Sequence, residues 1–225
     1  MIEKKLLTAV LMASLLLGVS SQAIGVPLTS LVGGDSLAAG DVLFDDFSYT
    51  DEGGPFGDVA VSSDDIDVTG SSTATSASLL FSFDPLLQLA AEEAFEINGG
   101  FSAGIAGGLL ELTGVTLELA GSAGGGSFDF IELGSNTLGA SATIDAGTPG
   151  PVSFGTSLAG LTAYNLLWDL QGEIDIDSSA TVNSFEVTFD LRSLPPAAVP
   201  EPAALPLILS GLIALALHRK RRNSA

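Results

Sequence analysis

Cysteine is absent from the 225 residues, so disulfide staples, a thiol nucleophile, thiolate metal ligands and a lipoprotein attachment site are all excluded. Histidine occurs once, as His218. Of the seven basic residues, Lys4 and Lys5 stand near the N-terminus, and Arg219, Lys220, Arg221 and Arg222 follow His218. Arg192 is the sole cation between residues 24 and 198. That interval lacks both imidazole and amine side chains, so Ser-His-Asp and Ser-Lys hydrolysis are excluded there, as are metal sites that need His or Cys. Nucleic acids and anionic membrane surfaces require a basic footprint, and there is none.

What the interval does hold is acid. Its 25 Asp and Glu against Arg192 give a net charge of −24, more extreme than the whole-chain −20. Such a surface suits solubility in salty water, divalent cations or cationic polymers, and by itself is a coat rather than an activity. Glycoside hydrolysis by two carboxylates about 5–9 Å apart is still open to such a composition. Among 25 acids such a pair arises by chance, so the expectation is a protein that is not an enzyme. With 175 residues, the interval is long enough for one domain that buries well over half of its unfolded surface.

The two ends differ from the middle. Lys4 and Lys5 precede an apolar stretch over residues 6–19, and Ser21-Gln22-Ala23 follows with small residues at alternate positions. This is the layout of a secretory signal helix cleaved after Ala23, with residues 24–40 as a leader. At the other end, Val199-Pro200-Glu201-Pro202 precedes fifteen uncharged residues, 203–217, and then the basic stop Arg219, Lys220, Arg221 and Arg222. Pro200 and Pro202 fix φ and keep the backbone extended. The apolar run reaches roughly 22 Å as a helix, short of the roughly 30 Å hydrocarbon core. A plain membrane anchor accounts for each part singly. In this order, residues 199–222 resemble the PEP-CTERM sorting signal of exported bacterial proteins. The resemblance implies an exosortase as partner, transient residence of a C-terminal transmembrane helix in the membrane, and delivery to the cell surface or extracellular matrix after processing near Val199-Pro200-Glu201-Pro202.

Residues 41–194 alternate apolar and polar positions in short runs, broken every eight to twelve residues by Gly, Ser, Asn or Asp. Phe185, Val187, Phe189 and Leu191 alternate with Glu186, Thr188 and Asp190. The fold class is therefore mainly β, a single antiparallel sandwich of about ten strands with one short helix. Residues 43–49 loosely resemble the start of lectin-like jelly rolls in other PEP-CTERM proteins, which implies a jelly-roll-like course. Thr113-Gly114 reads as a bend or bulge. Asp84-Pro85 is a good helix start, and Gln88, Glu92 and Glu96 recur at intervals of four, predicting a helix over 85–93. A strand over 94–99 then enters an Asn98-Gly99 turn. Residues 195–198 form the linker.

Three groups are candidate sites. Asp64, Asp65 and Asp67 are the first: counted from Asp65, oxygens fall at alternate positions and Gly70 is sixth, but Ser76, the twelfth, stands where a calcium loop places Glu. A sandwich-edge calcium site and a solvated turn both fit them, and calcium is the one cofactor such a pattern would call for. Glu173, Asp175 and Asp177 alternate with Ile174 and Ile176, placing three carboxylates on one strand face, either cation-bound or as an edge that discourages pairing. Tyr164 and Trp168 share a strand face, as a sugar-stacking platform beside Asn165 and Asp169 or, with Leu166 and Leu170, as core. Two functions follow as expectations: a structural or adhesive surface protein of a biofilm or exopolysaccharide matrix, or a carbohydrate-binding module, calcium-dependent or not.

Overall fold

A computed structural model describes residues 25–53, 59–124, 126, 129–145, 148 and 150–195. The expected signal helix with Ala23, the expected sorting residues Val199, Pro200, Glu201 and Pro202, and the expected transmembrane helix and basic stop lie outside the described residues. Among the described residues no helix is long and apolar enough to cross a membrane.

Alternation produces strands throughout. In order they are β1 (Val26–Pro27), β2 (Leu37–Ala39), β3 (Val42–Asp51), β4 (Ile66–Ser72), β5 (Ser76–Leu89), β6 (Ala94–Ile105), β7 (Leu110–Ser122), β8 (Phe130–Ser135), β9 (Ala140–Asp145), β10 (Val152–Leu161), β11 (Ala163–Glu173) and β12 (Ala180–Ser193). They form two six-stranded sheets, the first in the order β1-β4-β5-β12-β7-β10 and the second β2-β3-β6-β11-β8-β9. Along β12, Phe185, Val187, Phe189 and Leu191 are buried and the intervening polar residues turn outwards, as the alternation predicts.

The sandwich core is aromatic. Phe81 stacks on Phe185 with ring centres 4.4 Å apart, Phe44 meets Phe101 edge-on at 5.7 Å, and Trp168 lies 4.8 Å from Phe185. Offset stacks and edge contacts of this kind each add about 0.5–1.5 kcal/mol beyond simple burial. A chain without disulfides is held by this core.

Three expectations are corrected and one is met. Residues 24–40 are not an unstructured leader: β1, a one-turn helix α1 (Leu28–Val32) and β2 lie there, and Leu28 and Leu31, three apart on α1, are fully buried. The helix expected over 85–93 is strand instead. β5 pairs with β12 up to Leu89↔Ala180, and Asp84-Pro85 sits where the register shifts between Val182 and Ser184, so the missing proline N–H costs no ladder bond. Leu87 and Leu89 are buried along this stretch, and sheet packing overrides the period-four pattern. The turn falls at 90–93, where the Glu93 N–H donates to the Ala90 carbonyl and the Ala90 N–H to the Glu93 carboxylate. Asn98-Gly99 lies mid-strand in β6, opposite Asp169 and Trp168. Thr113-Gly114 does coincide with an irregularity: β7 runs through it, and the register slips opposite, between Ser157 and Leu161 of β10.

Candidate functional site

The outer face of the second sheet is built by the polar half of its alternation. Phe95, Ile97, Phe101 and Ala103 of β6 point inwards, which turns Glu96, Asn98, Gly100 and Ser102 outwards. On β11, Leu166, Trp168 and Leu170 are buried and Asn165, Leu167, Asp169 and Gln171 face out. Register aligns these in rows across the sheet. Thr50, Asn98, Asp169, Gly134 and Ser141 form one row, and Ser48, Gly100 and Leu167 another.

Glycines make the floor shallow. A methyl at Gly100 would press on the Leu167 side chain, and one at Gly134 would meet the Asp169 carboxylate, so both neighbours lie flat where a side chain is missing. The result is a groove of about 430 Å³ with Ser48, Thr50 and Glu52 on one wall, Asn98 and Glu96 along the base, and Leu167 and Asn136 on the other wall. Leu167 is 55% exposed, an apolar surface set among amides and hydroxyls.

The β8–β9 turn fixes that wall. The ladder between β11 and β8 ends at Asp169↔Gly134, and side chains of the turn take over its role. The Leu167 N–H donates to Thr137 Oγ1 at 2.9 Å, and Ser135 Oγ donates to the Leu167 carbonyl at 2.6 Å. The Gly139 N–H closes the turn on the Ser135 carbonyl. Further along the face, Ser102 Oγ donates to Asn165 Oδ1 at 2.9 Å.

The face is electrically one-sided. Burial pushes the Asp169 carboxyl above its ordinary range, and the neighbouring Glu132 and Glu96 push it further. Arg192, the only described cation, pairs instead with Glu111 of β7 in the other sheet. Asp129, 3% exposed, behaves oppositely. Burial pushes its pKa up, but bonds donated by Ser178 Oγ and the Asp175 and Gly126 N–H groups outweigh that and hold it below 3.8.

The candidate metal residues do not converge. Asp64, in a 3₁₀ turn (Ser63–Asp65), accepts from Thr29 Oγ1 at 2.6 Å, which ties the turn to α1. Asp65 faces a mostly apolar cavity of about 520 Å³ bounded by Val61, Phe83, Pro85 and Leu87, while Asp67 on β4 pairs with Pro27 of β1. Among the described residues no group of three or more acidic or histidine side chains is placed to hold a metal ion. Glu173, Asp175 and Asp177 do not share a strand: β11 ends at Glu173, Ile174 is buried, and the chain turns with Asp177 at φ 65°.

Trp168 and Tyr164 face inwards. Trp168 is 3% exposed, packed on Phe81 and Phe185, with its indole Nε1 lacking a partner, and Tyr164 meets Phe189 edge-on. The pair belongs to the core, and burial raises the Tyr164 pKa. The polar residues beside them, Asn165 and Asp169, are the ones the fold presents. Leu167, Asn98 and Asn136 were missed because Asn98-Gly99 imitates a turn. An outward Leu167 among polar alternate positions was the available sign.

No family model matches the chain, and no curated protein does either. Among solved structures it is similar to the carbohydrate-binding module TmCBM61, in complex with beta-1,4-galactotriose, at 10% identity and a TM-score of 0.27 over 66% of this chain and 89% of that one. It is also similar to the enzymatically active domain of bacteriophage CBA120 tailspike protein 4, at 10% identity and a TM-score of 0.23 over 62% of this chain and 19% of that one. Likeness at these scores carries no argument about function.

Proposed function

We propose that this chain is an exported surface or matrix protein whose jelly-roll-like sandwich engages extracellular polysaccharide through the outer face of its second sheet. The observation that carries the reading is the shallow groove itself. Amide and hydroxyl groups of Asn98, Asn136, Thr50 and Ser48 surround the exposed Leu167 over a glycine floor. A sugar ring offers hydroxyls at its rim and an apolar C–H face, and such a surface complements both. Glu52, Glu96, Glu132 and Asp169 exclude uronate or sulfate polymers by like-charge repulsion, which leaves neutral or amine-bearing sugars as ligands. The role is adhesive rather than catalytic.

Export and sorting complete the proposal. The apparatus would cleave after Ala23, and an exosortase would process the chain near Val199-Pro200-Glu201-Pro202, releasing the short apolar segment and the basic stop. What supports this is the order of motif, apolar run and cations in the sequence. A glycan array probed with the full chain, with and without calcium, tests the binding. Saturable signal on neutral or amino sugars is expected, and signal confined to anionic glycans contradicts it. Intact mass of the protein from its native envelope tests the sorting, since retention of Arg219 to Arg222 contradicts processing.

A further inference from the structure

A strand at the edge of a sheet presents unpaired N–H and C=O groups, and natural proteins blunt such edges with shortness, proline or charge. Three of the four edges here are blunted. β1 has two residues and ends on Pro27, β2 has three, and β9 has six and ends on Asp145. The fourth is β10, ten residues reading Val-Ser-Phe-Gly-Thr-Ser-Leu-Ala-Gly-Leu, with neither charge nor proline. Every other described strand longer than three residues contains at least one Asp or Glu.

One side of β10 pairs with β7 from Val152↔Leu119 to Ser157↔Gly114. Among the described residues no strand pairs with its other side. The register slip between Ser157 and Leu161, where Gly160 takes a φ of 73°, ends the regular edge, so six residues, 152–157, remain open. Ser153, Gly155, Thr156 and Ser157 are exposed.

From this edge we infer that two copies of the chain join by antiparallel pairing of β10 with β10 into one continuous twelve-stranded sheet. The occupant is a second copy because the strip is complementary to itself. A two-fold axis perpendicular to the sheet keeps the core faces of both copies on one side. Centred on Gly155, the pairing sets Ser153 opposite Ser157 and Phe154 opposite Thr156, a hydroxyl pair and an aromatic–β-branched pair, both favourable across strands. Charge selects the same edge. Two bodies of −24 repel, and a contact through any other long strand brings acids face to face. Within the joined sheet the nearest acid-bearing strands are the two β7 strands, three strand spacings or about 14 Å apart. That exceeds the Debye length of about 8 Å at physiological salt, so screening removes most of the repulsion.

The cysteine-free chain makes the test direct. Sedimentation velocity of the full chain in mild detergent should give twice the protomer mass. Ser153→Asp with Ser157→Asp, which sets acids opposite each other in the pairing, should return it to one protomer that keeps its β-sheet circular dichroism and a cooperative melt, at a somewhat lower temperature because position 153 also faces Glu118 of β7. Ser153→Cys with Ser157→Cys should form disulfide-linked dimers on mild oxidation, and Ser141→Cys on β9 should not. A monomeric wild type overturns the inference. So does a dimer that survives the two Asp substitutions, or equal cross-linking from Ser141→Cys.

Discussion

Gly99 shows how one residue can be misread and still be indispensable. Beside Asn98 it imitates a hairpin turn, yet it lies inside β6 because the Trp168 ring lies over its α-carbon. Gly99→Ala forces that ring off its place between Phe81 and Phe185. Overpacking of this kind costs about 1–3 kcal/mol, and chemical denaturation measures the loss. Two carboxylates differ in sign. Asp129 is held below 3.8 by its three donors, so its stabilisation is present at neutral pH and is lost as pH falls through the depressed value. Asp129→Asn should lower the melting temperature at pH 7, with the deficit shrinking as the wild type is acidified. Asp169 lies above 3.8, so its ionised form costs the folded state once pH exceeds the raised value. Asp169→Asn should raise the melting temperature at pH 7 and change nothing below about pH 3.8.

At the scale of the element, the β8–β9 turn determines whether the groove keeps its wall. Thr137→Val and Ser135→Ala leave the Leu167 N–H and C=O without their side-chain partners. Each lost bond should cost about 1 kcal/mol, and faster amide exchange at Leu167 reports the loosening. The strands themselves were legible because an alternation such as that of β12 has a single solution in a two-sheet sandwich. The helix expected over 85–93 was not, because its period-four pattern is local whereas the burial of Leu87 and Leu89 against β12 is decided a hundred residues away. The fate of Tyr164 and Trp168 as core was one of two readings open in the sequence, settled by Leu166 and Leu170 on the same face. The groove was only half legible. Asn165 and Asp169 were visible as polar alternates on the opposite face of that strand, but register with β3 and β6, and hence Thr50 and Asn98, cannot be read from one strand.

Across the whole molecule, a body of −24 works against its own compactness. Salt should raise the melting temperature steadily from low ionic strength and level off as the Debye length falls below the spacing of the acids, which a thermal series in NaCl checks. The same charge repels anionic polymers while the groove offers its amides and Leu167 to uncharged rings. The most direct test of that role is calorimetric titration of the full chain with the neutral or amino oligosaccharide giving the strongest array signal, beside Asn98→Ala with Leu167→Ser. The expected result is saturable binding by the wild type, weakened at least tenfold in the double variant, corresponding to about 1.4 kcal/mol or more. Binding of equal strength in both proteins, or in neither, contradicts the assignment of the second sheet's outer face as the binding surface.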